Sequence, residues 1–125
     1  MKTSKDIAAS AAISALDEWA RNVTEHRPDA VAAGFTEDAL FQGFDPEHAT
    51  GRASVQEYYA KQPVGLRASY ELKAVRQVSD GNVIAFARAV FVRPDGEVIP
   101  VFLTVLLERH PHGWLISHYH VSKIS

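Results

Sequence analysis

The spacing of apolar residues changes once, near residue 66, and that change restricts the fold more than any other feature of the chain. Before it, Ile7, Ile13, Leu16, Ala20 and Val23 recur at near-helical intervals, so one stripe of a first helix faces a core. Thr3 is placed to cap that helix, with Asp6 near its positive end. Pro28 breaks the pattern and suits the first position of a short second helix over 29–34. A short strand is predicted over 39–44, then a third helix over 52–61, capped by Thr50 and stopped by Pro63. From Leu66 the period becomes two: Leu66, Ala68, Tyr70, Leu72 and Ala74 alternate with Arg67, Ser69, Glu71 and Lys73. Asp80-Gly81-Asn82, Pro94-Asp95-Gly96 and His110-Pro111-His112-Gly113 are turn signals. They divide the second half into long strands, the last three over 83–93, 97–109 and 114–124. Helices followed by an antiparallel meander make an α+β chain, with three N-terminal helices available to cover one sheet face.

The length of 125 residues fits a single domain over 1–125 with a core of its own. A net charge of −2 without a basic run gives no electrostatic reason to bind nucleic acid or an anionic membrane. Without cysteine there is neither a disulfide nor a thiolate metal site. No apolar stretch approaches membrane length, and with no targeting signal the expected compartment is the cytoplasm. Phosphate-loop, dinucleotide and Gly-x-Ser-x-Gly motifs are absent, and no cofactor is expected.

Residues 101–107 contain one polar residue, Thr104, so that strand is apolar on both faces. A sheet of this kind needs cover on its second face, and a homodimer through that face is the simplest cover. Register follows if Arg109 pairs with Trp114 and Arg93 with Glu97. One face then carries Phe86, Arg88, Phe102, Thr104, Ser117, Tyr119 and Val121. The other carries Ala87, Leu103, Val105, Ile116, His118 and His120. A bulge or a one-residue slip would exchange the two sets.

Trp114-Leu115-Ile116-Ser117-His118-Tyr119-His120-Val121-Ser122 resembles the closing strand of the association domain of calcium/calmodulin-dependent protein kinase II. Phe35-Thr36-Glu37-Asp38-Ala39, Thr50-Gly51-Arg52 before Tyr58-Tyr59, and Ile84-Ala85-Phe86-Ala87-Arg88 look like other pieces of that domain and of its small bacterial relatives. The chain is thus similar to the nuclear transport factor 2-like (SnoaL-like, cystatin-like) superfamily. That resemblance implies a cone-shaped, curved antiparallel sheet wrapped around the helices, a conical pocket and a dimer. The superfamily also includes ketosteroid isomerase, whose base, tyrosine and protonated aspartate match Gly43, Trp19 and Thr104 here. No proton-abstracting carboxylate remains, so steroid isomerisation is not implied. The catalytic groups of scytalone dehydratase and limonene epoxide hydrolase are not recognisable either. Of the arginines that hold a carboxylate in kinase association domains, Arg88 alone is matched.

These readings nominate a small-molecule site with Arg88 as forked donor and Tyr119, Thr104 and Ser117 as hydroxyls. Its aromatic walls would be Trp19, Phe41, Tyr58 and Phe86. The plainer alternatives are an Arg88 ion pair with an acid such as Glu57 or Glu71, and hydroxyls that satisfy backbone groups in a filled core. His118 and His120 share a strand face but have no third ligand beside them, so no metal is expected. Three functions stay open. One is binding of a small hydrophobic or carboxylate-bearing metabolite. The second is an isomerase, dehydratase or hydrolase using Tyr119 or His118, and the third is an oligomerisation module without a ligand.

Overall fold

The structure is a computed structural model. It describes residues 3–124, the Ser4 side chain excepted. The elements run α1 (Ser4–Thr24), α2 (Pro28–Ala33), β1 (Phe35–Gln42), β2 (Ala49–Thr50), α3 (Arg52–Ala60), β3 (Arg67–Ser79), β4 (Asn82–Val92), β5 (Val98–His110) and β6 (Gly113–Lys123). The strands form one six-stranded sheet in the order β2-β1-β6-β5-β4-β3. Neighbours pair antiparallel except β1, which runs parallel to β6. Among the described residues, no helix is long and apolar enough to cross a membrane.

Thr3 caps α1 as expected, and Asp6 completes a capping box by accepting from the Thr3 backbone. The buried stripe is not the expected one. Ala8, Ala11, Ala12, Leu16, Trp19 and Val23 are buried, while Ile13 is 44% exposed. Ala8, Ala11 and Ala12 let the first half of α1 lie close against the sheet. Tyr70 donates to Asp17 across 2.6 Å, tying α1 to β3. Pro28 opens α2 as expected. Strand β1 starts at Phe35, four residues before its expected start, and Thr50 ends β2 rather than capping α3. The N-cap is Gly51, whose φ of +93° favours glycine. Arg52 donates from Nε and Nη2 to the Phe35 carbonyl (3.0 and 2.7 Å), fixing α3 to the start of β1.

The turns have the expected register: Val92 faces Val98 and Arg109 faces Trp114. Phe86 opposite Thr104 and Arg88 opposite Phe102 also hold. The closing hairpin departs at Ser117, where a bulge separates the Leu107–Ile116 and Leu106–His118 pairs. Beyond it Thr104 faces His120 instead of Tyr119, Phe102 faces Ser122, and Val105 faces Tyr119. Tyr119 and Val121 therefore join Leu103, Val105 and Ile116 on the inner, helix-covered face, all buried. His118 and His120 join Phe86, Arg88, Phe102 and Thr104 on the outer face. A second bulge between Leu72 and Ala74 turns Ala74 outward, against the simple alternation expected of β3.

Candidate functional site

The inner face and the helices enclose an aromatic cluster. Phe41 stacks on Tyr119 with ring centroids 4.5 Å apart and planes 11° from parallel. Trp19 and Phe35 lie against Tyr119 at 5.9 and 6.0 Å, and Tyr58 and Tyr59 against Phe41 at 4.8 and 5.7 Å. Phe91 closes on Trp19 from the sheet. Four of the expected wall and hydroxyl residues thus meet inside the cone: Trp19, Phe41, Tyr58 and Tyr119. Tyr59 is the residue that sequence reasoning missed. Its spacing of four from the buried Val55 on one helix was the available signal.

The polar tips in this cluster already have partners. Trp19 Nε1 donates to Tyr59 Oη across 3.0 Å, and the Phe44 amide donates to Tyr58 Oη across 3.2 Å. Burial raises the Tyr59 and Tyr119 phenols far above their usual range, opposed at Tyr59 by hydrogen bonds to Tyr119 and Trp19. Tyr58 is also raised, by partial burial. These phenols stay protonated near neutrality, so none of them is a ready base. The free space at the cone's mouth, between Phe44, Tyr58, Gln62 and Phe91, is about 10 Å³. That holds roughly one water. Among the described residues, no carboxylate, histidine or arginine lines this space, although the Asp45 carboxylate lies near enough to Tyr58 to raise its phenol further.

The other nominated residues lie elsewhere, which corrects the expected constellation. Phe86, Arg88 and Thr104 point to the outer face, opposite Tyr119, because the alternation of β4 gives its inner side to Ala85, Ala87 and Ala89. Arg88 is exposed and, among the described residues, forms no ion pair; a guanidinium so placed must stay in water. Its cross-strand neighbour Glu71 pairs with Lys73 at 2.7 Å, and Lys73 first, Arg88 last, lowers the Glu71 carboxyl. Ser117 sits at the bulge and donates to the Leu106 carbonyl across 3.2 Å. His118 is half-buried on the outer face, between Leu40 of β1 and Leu106 of β5.

Gly43 follows β1 with the Tyr58 ring against it; a Cβ there would stand 2.6 Å from Tyr58 Oη. A side-chain base at this position would have to displace Tyr58. Thr104 matches the other acidic position only by sequence count, since it faces away from the cone, with Leu103 and Val105 inside in its place.

A curved sheet closed over a long helix, with an aromatic interior, defines the cone fold of nuclear transport factor 2-like proteins. Residues 13–125 match the sequence profile of the SnoaL-like domain, and the chain belongs to that family. Solved structures agree in fold. A ketosteroid isomerase-like protein from Erwinia carotovora atroseptica SCRI1043 is 25% identical, with a TM-score of 0.76 over 93% of this chain and 95% of its own. A Xanthomonas campestris protein described as a calcium/calmodulin dependent protein kinase II association domain is 18% identical (TM-score 0.75, 90% of this chain, 86% of its own). An NTF2-like protein with a cystatin-like fold from Novosphingobium aromaticivorans is 15% identical (TM-score 0.82, 95% and 83%). No curated protein matches in sequence.

Proposed function

We propose that this chain is a self-associating domain in which two copies pair through the outer sheet face. The observation that carries the reading is the pair of large aromatics left on that face, Phe86 at 51% and Phe102 at 56% exposure. Leu40 at 49% extends the patch across β1, and Ile84, Val90 and Leu106 fill the rows between. Two half-exposed phenylalanines on neighbouring strands, set among Arg88, Thr104 and His120, are more apolar surface than a covered face leaves, and such patches mark interaction sites. A two-fold axis brings the same patch to itself, giving Phe86, Arg88, Thr104 and His118 a role at the interface. The Xanthomonas protein, described as an association domain, supports the same reading.

The other readings use the cone. Binding of a small hydrophobic or carboxylate-bearing metabolite there requires Phe44, Tyr58 and Gln62 to swing aside, since only about 10 Å³ is open. An isomerase reading, suggested by the ketosteroid isomerase-like relative, lacks a carboxylate among the residues lining the cone's mouth. Self-association needs no such rearrangement.

Light scattering after size exclusion tests the proposal. Wild type should give twice the 13.8 kDa chain mass. The double variant Phe86→Asp, Phe102→Asp should run as a monomer with unchanged far-UV circular dichroism. A monomeric wild type at every accessible concentration overturns the proposal, as does a double variant that remains dimeric.

A further inference from the structure

A second cavity shares no lining residue with the cone's mouth, although Trp19 and Phe35 of the aromatic cluster line it from behind. It is a cleft of about 570 Å³ between the C-terminal half of α1, α2 and the β5–β6 turn. That volume lies in the range of small-molecule sites, roughly 300–1,000 Å³.

Its chemistry is uneven in an informative way. Asn22 of α1 lines the cleft at 6% exposure and makes no side-chain hydrogen bond to any described residue. Thr36 Oγ1 is the one described buried polar atom both sealed from solvent and unpartnered, so the Asn22 amide is not sealed. An amide this deep that bonds to no described side chain or backbone group needs water or a ligand, a need that an apolar residue of similar size would not have. Beside it stand two guanidiniums, Arg21 and Arg27. Their partners are Glu18 at 3.1 Å and Glu25 at 3.6 Å, with side chains 49–64% exposed. Exposed pairs of this kind are weak, so an incoming anion competes for both arginines. Trp114 and Val31 add apolar wall, and His112 lies on the turn at the rim.

We infer that this cleft binds a small organic carboxylate with an apolar body. The carboxylate takes Arg27 and the donor side of the Asn22 amide, and the body lies along Trp114. Forked guanidinium donors and an amide suit a carboxylate, and an indole wall suits an aryl or alkyl group. Asn22 also borders a void of about 10 Å³ beside Val23, His26 and Tyr59, room for roughly one water. A water there is the competing partner for the amide.

Titration of the full chain with phenylacetate, benzoate and octanoate, followed by backbone amide NMR, decides between them. At least one acid should give saturable shifts at Gly34 and Gly113–Leu115. Phenylacetamide, which lacks the charge, should bind about tenfold or more weakly. Arg27→Ala and Asn22→Leu should each weaken the acid by about tenfold. Asn22→Leu should melt no lower than wild type, which separates lost binding from lost folding. Arg88→Ala, on the outer face, should bind like wild type. Three results overturn the inference. One is no saturable shift with any of the three acids. The second is shifts centred on Phe44, Tyr58 and Gln62, which would locate binding in the cone. The third is undiminished affinity in Asn22→Leu, which would leave the amide to the water.

Discussion

Midway along β4 the two faces of the sheet invert the usual allocation of side-chain size. Between Val83 and Phe91 the covered face carries Ala85, Ala87 and Ala89, each at 3% exposure or less. The uncovered face of the same strand carries Ile84, Phe86, Arg88 and Val90, with Phe86 half exposed. Small residues lie where α1 approaches the strand, and large ones on the face that no described helix covers. Burial of a phenylalanine stabilises by about 1.5–3 kcal/mol, so the outer face holds unused apolar surface that the inner face does not. The inner face is committed to folding, and the outer face is available for association.

The sharpest way to break this comparison is to exchange the faces of the last strand. One alanine inserted between Ser117 and His118 would carry Tyr119 and Val121 outward and bring His118 and His120 inward. The expected result is loss of the folded state, because total stability of such a domain is only about 5–15 kcal/mol. Deleting Ser117 should act differently. It removes the extra residue and the hydroxyl bond to Leu106, yet leaves Ile116 opposite Leu107 and His118 opposite Leu106. The deletion should therefore fold, at a loss of about 1–2 kcal/mol. Urea unfolding with near-UV circular dichroism checks both, and an insertion variant with native aromatic signals would refute the face assignment.

The bulge also marks where the sequence stopped being legible. Turn residues set the register at 92–98 and 109–114, and local chemistry was enough there. Nothing in Ile116-Ser117-His118 announces an extra residue. The bulge follows from tertiary competition: the interior takes Tyr119 and Val121 in preference to two histidines, and Ser117 absorbs the mismatch. The same competition was readable on β4, where an arginine alternating with alanines belongs to the water face and the alanines to a closely packed helix. Counting from the turn without weighing that cost put Arg88 on the same face as Tyr119. Seven aromatics of the cone cluster were visible as residue types, but only the fold brings α1, β1, α3, β4 and β6 to one point. The cleft beside Asn22 had no signal at all, since one asparagine on a helix is ordinary until its burial is known.

Truncation tests the committed face at a smaller scale. Tyr119→Ala should cost about 3–5 kcal/mol, since the ring contacts Phe41, Trp19 and Phe35 and leaves a cavity among them. Tyr119→Phe keeps the packing and should cost about 1 kcal/mol, the scale of one hydrogen bond. Equal losses from the two changes would mean that the hydroxyl, rather than the ring, holds the cone together. Chemical denaturation of the monomeric outer-face variant gives both values free of any contribution from association.

The smallest effect belongs to proton release and concerns the inner face alone. Tyr119 titrates well above the ordinary phenol value of 10.0 when folded, chiefly because burial penalises the phenolate. In the unfolded chain the same phenol loses its proton near 10. Above that pH the folded state holds one more proton than the unfolded state, so stability falls as pH rises and is undiminished below about pH 9. The slope is about 1.4 kcal/mol per pH unit for each such phenol. Tyr58, Tyr59 and Tyr70 are raised as well, so wild type should lose stability steeply in alkali. Tyr119→Phe removes one phenol's share and should flatten the profile by about 1.4 kcal/mol per unit, while Phe86→Asp, Phe102→Asp should leave its slope unchanged. Denaturant midpoints from pH 9 upward measure the difference. Identical slopes for wild type and Tyr119→Phe would mean that water reaches the Tyr119 hydroxyl, and the cone would then be an open pocket rather than a packed core.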